Sequence, residues 1–102
     1  MTAPADEALP PGARFPLGRV VITPVAAEWL PAEVIARALK RHQAGDWGDV
    51  GPDSETAWDN AEALRRGRAV HSFYFRRCAD FLIVTSGDRA TTTVRLSREF
   101  GS

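Results

Sequence analysis

The chain has 102 residues, enough for one domain, and a chain this short buries only about 60–65% of the surface it exposes when unfolded. Thirteen basic and thirteen acidic side chains cancel, which excludes a general nucleic-acid coat, a histone-like protein and an acidic tail protein. A single cysteine excludes an intramolecular disulfide and a cysteine-based zinc cluster, and no apolar run approaches the roughly 20 residues of a membrane span.

The N-terminal stretch, residues 1–17, is rich in proline and scattered charge, so the expectation is a flexible arm, or one pinned along an edge of the domain at Phe15 and Leu17. It has no basic n-region of a signal peptide, which predicts a cytoplasmic protein. A single domain is expected over 18–100. Val20, Val21 and Ile22 are β-branched in succession and predict a short strand over about 18–23. Thr23-Pro24 can start a helical turn or two covering Val25 to Leu30.

Residues 31–43 predict a better helix. Glu33 lies in its first turn and Lys40, Arg41 and His42 in its last, as the helix dipole favours. Val34, Ile35, Ala38, Leu39 and His42 form one stripe, leaving Arg37, Lys40 and Arg41 wet. A glycine-rich loop around Trp47 follows. Asp53 is the expected cap of a second helix, which ends at Gly67 and carries a thin stripe of Ala57, Ala61 and Leu64.

The rest reads as strand. Residues 69–77 alternate, and the phase chosen points His71, Phe73 and Phe75 inward. The apolar run Phe81–Thr85 suits a central strand, and the threonine-rich stretch after Gly87-Asp88-Arg89 closes a three-stranded antiparallel meander over about 69–97. The fold class is therefore α+β: a two-layer fold with an antiparallel sheet, an N-terminal strand at one edge, and two main helices on one face. The expected core is Val21, Val34, Ile35, Leu39, Leu64, Phe73, Phe75, Ile83 and Val94.

Arg41-His42, Gly45-Asp46-Trp47-Gly48-Asp49, the Asn60 to Gly67 helix end, Ser72-Phe73-Tyr74, Asp88-Arg89 and Thr91-Thr92-Thr93 together resemble a family of small plasmid-related proteins of bacterial mobile genetic elements. The resemblance runs over about 18–100, and its most specific piece is His-x-x-Gly-Asp-Trp-Gly-Asp. It departs at Arg76-Arg77-Cys78, where members place an aliphatic or acidic stretch. The resemblance implies a mobile-element setting and no mechanism.

Several groups are candidates for chemistry. Asp46, Asp49 and Asp53 have oxygen ligands at loop spacing, but the regular calcium-loop spacing is absent. No metal and no cofactor are expected. Arg65, Arg66, Arg68, Arg76 and Arg77 form a basic block interleaved with Phe73, Tyr74 and Phe75, a composition suited to an anionic partner or to single-stranded nucleic acid. His42 is expected to be buried, with Asp46 or Asp49 as its hydrogen-bond partner. Asp88 and Arg89 sit in a polar turn, and Cys78 lies in a turn beside Arg77. Trp47 is expected to fold back over the end of the 31–43 helix, or else to stand out as an interface anchor.

The leading expectation is a non-enzymatic binding protein acting by protein–protein interaction, a regulator or inhibitor of a host defence system. Its candidate binding residues are Arg68, Arg76, Arg77, Asp88, Arg89 and Trp47. The alternatives are a small nuclease or toxin-like enzyme using His42, Asp46, Asp49 and Arg89, and a nucleic-acid accessory protein.

Overall fold

The structure, a computed structural model, describes residue 9 and residues 11–51, 53–77 and 79–99. The expectations for residues 1–8 of the arm and for Cys78 fall outside these. The elements run β1 (Arg19–Ile22), α1 (Pro24–Trp29), α2 (Ala32–Gln43), α3 (Glu55–Arg66), β2 (Val70–Tyr74), β3 (Phe81–Thr85), β4 (Thr91–Leu96), then a short 3₁₀ turn at Ser97–Glu99.

The helix starts follow local chemistry. Thr23 Oγ1 accepts from Ala26 N at 3.1 Å and caps α1, with Pro24 at the first helical position. The cap of α3 is Ser54, one residue later than the expected Asp53, and its hydroxyl accepts from Ala57 N at 3.1 Å. Ser54 also donates to Gly51 O at 2.9 Å, which fixes the entering loop. Gly67 ends α3 in the left-handed conformation at φ 71°.

The fold is α+β, and its four strands form one mixed sheet in the order β1-β4-β3-β2. The meander β2-β3-β4 is antiparallel, as expected, but β1 pairs with β4 in parallel. The helices are the reason. They carry the chain back between β1 and β2, so the two strands run the same way. Two hairpins later, β4 runs that way as well.

The phase expected for β2 is corrected. Val70, Ser72 and Tyr74 are buried, whereas His71 is exposed and Phe73 only half-buried. A slip of one residue exchanges the two faces of a strand. Here the deciding contacts are tertiary. The Tyr74 ring stacks on Phe81 at 4.9 Å, and its hydroxyl donates to Ala38 O at 3.1 Å. Ser72 is held by His42. Phe75 falls past the end of the strand and is 56% exposed.

The core has two parts. The larger joins Ala26, Leu30, Ile35 and Ala38 of the helices to Tyr74, Phe81, Ile83, Val94 and Leu96 of the sheet. The smaller joins Phe15, Trp47, Ala63 and Val70. Of the expected core, Ile35, Ile83 and Val94 are buried, and Val34, Leu39 and Leu64 pack half-buried against it. Val21 and Phe75 are exposed, because β1 is an edge strand and Phe75 has left the sheet.

Candidate functional site

The loop 45–49 closes the outer edge of β2. Trp47 O accepts from Phe73 N at 3.2 Å, and Asp49 N donates back to Phe73 O at 2.8 Å. One residue pair further back, the Asn60 side chain accepts from His71 N at 3.0 Å and donates to His71 O at 2.6 Å. Gly48 runs so close to β2 that a Cβ would lie 2.0 Å from Phe73 O, at a φ of 91°. Only glycine meets both demands. Trp47 and Asp49 of the Gly-Asp-Trp-Gly-Asp stretch, with Gly48 permitting the approach, thus cover backbone groups that an edge strand otherwise leaves bare.

Trp47 is 9% exposed. Its ring stacks with Phe15 at 6.2 Å and meets the edge of His42 at 5.7 Å. It folds over the end of α2, as one of the two sequence expectations held. Phe15, within the stretch read as an arm, is 3% exposed, and Gln43 Nε2 donates to its carbonyl at 2.9 Å.

His42 is fully buried, but its partners are hydroxyls rather than Asp46 or Asp49. The network assigns the tautomer. Thr92 Oγ1 donates to Leu17 O at 2.7 Å, so Thr85 is the donor in its 2.7 Å bond to Thr92. Thr85 Oγ1 then accepts from His42 Nε2–H at 2.9 Å, and Ser72 Oγ–H donates to Nδ1. Both ring nitrogens of the neutral imidazole are thus occupied by hydroxyls. Burial, reinforced by the charges of His71 and Arg89, pushes its pKa down to about 3.

Asp46 and Asp49 turn to Arg41 instead. Asp46 pairs with the Arg41 guanidinium at 2.9 Å, and Asp49 lies 3.8 Å from it. The hydrogen bond from Arg41 holds the Asp46 carboxyl below its ordinary range, and the same bond raises Arg41. Asp49 also accepts from Phe75 N at 2.9 Å. The groups required by the nuclease-like reading therefore do not converge in one pocket.

Asp88 and Arg89 are both engaged by groups of the chain itself. Asp88 accepts from Ser86 Oγ at 2.6 Å and from Ala90 N at 3.0 Å, and the Ser86 bond lowers its pKa. Arg89, at φ 60°, donates to the carbonyls of Arg68, Ser86 and Ala63, and its guanidinium lies over Phe15 at 5.5 Å. It ties the end of α3 to the β3-β4 turn.

The basic block is divided by the strand itself. Arg65 and Arg66 both pair with Glu62 near the end of α3, and Arg68 is exposed just before β2. Arg76 and Arg77 are exposed past the far end of β2. Of these arginines, Arg76 faces a concave site. It lines an open cleft of about 180 Å³ between α2 and the end of β2, together with Arg37, Arg41, Asp49, Tyr74 and Phe75.

Arg37 and Arg41 lie one turn apart on α2 and share a face. Arg41 is held by its aspartates and lies over the Tyr74 ring at 5.1 Å. Arg37 and Arg76 have no ion pair among the described residues. Sequence reasoning missed Arg37 and Arg41 as neighbours of Arg76, and it grouped Phe75 with the basic block but pointed its ring inward. The four-residue spacing of the arginines was a signal for one half of the cleft, whereas the wrong strand phase concealed Phe75. Among the described residues, no group of three His, Cys, Asp or Glu side chains is arranged to hold a metal. Among the same residues, no helix is long and apolar enough to cross a membrane.

Comparison with protein-family models, with curated proteins and with solved structures returns no match.

Proposed function

We propose that the protein is a non-enzymatic binding protein of the cytoplasm, and that it recognises an acidic segment of a partner protein at the cleft between α2 and the end of β2. The observation that carries this reading is the company around Phe75. A phenylalanine 56% exposed stands beside Arg37 and Arg76, neither with an ion pair among the described residues. Arginine and large aromatics are the side chains that most often anchor protein interfaces. A carboxylate entering the cleft gains a bidentate guanidinium partner, while Phe75 covers apolar surface next to it. Asp49 keeps Arg41 oriented and limits the charge of the cleft. This narrows the basic block read from the sequence to Arg76. The resemblance to mobile-element proteins makes a host defence protein the natural class of partner.

The test is a pull-down from bacterial lysate with the wild type and with Arg37→Glu/Arg76→Glu. The partner is expected to be lost from the double variant, and its binding to weaken between about 50 and 200 mM salt. Retention of the same partner by the variant, or binding insensitive to salt, would overturn the reading. Phe75 next to Arg76 also suits stacking of a nucleobase. Recovery of single-stranded nucleic acid in place of protein would favour that second reading.

A further inference from the structure

The opposite edge of the sheet lacks the closure that β2 receives. Arg19 N donates to Ala90 O at 2.8 Å, and Thr23 N donates to Val94 O at 3.1 Å. Residues 19, 21 and 23 therefore turn their backbone groups to β4, and Val20 and Ile22 turn their N–H and C=O outward. No neighbour covers that edge among the described residues. Natural edges carry charges, prolines or bulges that prevent pairing, and here Pro24 and the charge of Arg19 stand only at the two ends of the strand. This one reads Arg-Val-Val-Ile, with Val20, Val21 and Ile22 each 37–40% exposed. The register with Thr92 and Val94 places Val20 and Ile22 on the core side of the sheet. There, Ile22 borders an apolar groove of about 350 Å³ with Leu30, Ile35, Ala36 and Leu39.

We propose that β1 pairs antiparallel with β1 of a second copy of the chain, about a two-fold axis through Val21, to make one continuous eight-stranded sheet. The strand is self-complementary in that register. Val20 of one copy faces Ile22 of the other, so their outward backbone groups exchange bonds on both sides of the axis. Val21 meets Val21 in the non-hydrogen-bonded position between them. Pairing about Val20 would set Ile22 against Gly18, whose φ of 67° turns the chain out of the strand. Pairing about Ile22 would set Val20 against Pro24, which has no N–H.

Charge selects the same partner. The chosen register places Arg19, an exposed side chain with no ion pair among the described residues, opposite Thr23 of the other copy. The Thr23 hydroxyl donates to the Glu99 carboxylate at 2.8 Å, as does Leu96 N at 2.8 Å, so each Arg19 would face an end of the partner strand that carries an acid, twice by symmetry. The apolar side chains of the two strands close the two grooves from below. This surface lies at the sheet edge opposite the arginine cleft, so the two proposals fail independently.

The test is sedimentation equilibrium of the full chain over a range of concentrations. The wild type is expected to rise to twice the mass of the chain. Val20→Pro, which removes an outward N–H without touching the bonds to β4, is expected to stay monomeric with an unchanged far-UV spectrum. So is Val21→Lys, which sets two ammonium groups face to face at the axis. As a second measurement, Val21→Cys in a Cys78→Ser background is expected to crosslink on oxidation. Opposed residues in a non-hydrogen-bonded pair have Cα atoms about 4.5 Å apart, within disulfide reach. A wild type that remains single at every concentration overturns the proposal and leaves a foreign strand as the occupant of the edge. A dimer that survives both substitutions, with Val21→Cys uncrosslinked, overturns it as well.

Discussion

His42 shows most clearly how one buried group sets a property of the protein. Its folded pKa, about 3, lies below the ordinary 6.5. The unfolded chain therefore binds the extra proton first as pH falls. The stabilisation is fully present above pH 6.5 and is lost from there downward until about pH 3. A single group of this kind gives a slope of at most about 1.4 kcal/mol per pH unit. His71, also lowered by burial, acts in the same direction. Urea unfolding of the wild type and of His42→Gln between pH 7 and 4 checks this: the wild type is expected to lose stability steeply and the variant less so. At the same scale, Phe75→Ala is expected to cost less than about 1 kcal/mol, because its ring is largely in solvent. Phe81→Ala, at a ring 1% exposed and stacked on Tyr74, is expected to cost about 3–5 kcal/mol. The two melting curves separate the observed strand phase from the opposite one.

Among the elements, the contrast lies between the two sheet edges. β2 is covered by the 45–49 loop and by Asn60, whereas no described residue covers β1. Amide exchange reads this directly. The His71 and Phe73 amides, bonded to Asn60 Oδ1 and Trp47 O, are expected to exchange slowly although β2 is terminal in the sheet. Asn60→Ala is expected to release His71 and to cost about 1–3 kcal/mol, since it leaves backbone groups unpaired. Gly48→Ala is expected to push the loop off β2 and to speed exchange at Phe73. Unchanged exchange at Phe73 in that variant would mean that the loop can retreat without losing its bonds.

For the whole molecule, the two proposed surfaces sit at opposite edges of one sheet, with the core between them. Substitutions at well-separated sites usually act additively. Arg37→Glu/Arg76→Glu is accordingly expected to leave the self-association constant unchanged, and Val20→Pro to leave affinity for the acidic partner unchanged. Measuring both constants in both variants checks this. Cross-effects larger than about threefold would mean that dimer and cleft are coupled.

The sequence by itself determined the elements and their order. Pro24 and Gly67 punctuate helices through backbone chemistry that needs no neighbour, the cap of α3 was legible only to within one residue (Ser54 where Asp53 was expected), and β-branched runs and short turns made the meander legible. Periodicity also placed His42 on a buried stripe and Arg37 one turn from Arg41. Only the tertiary structure decided which face of β2 turned inward. Both of its residue sets contain an aromatic, and a buried Ser72 is favourable only once His42 stands opposite it. The direction of β1 was also decided there, because a strand does not record which neighbour its backbone will meet. The candidate cleft was half legible for the same reason. Its helix side follows from local spacing, whereas Arg76 and Phe75 reach it only because the strand ends where the sheet, packed on α2, makes it end.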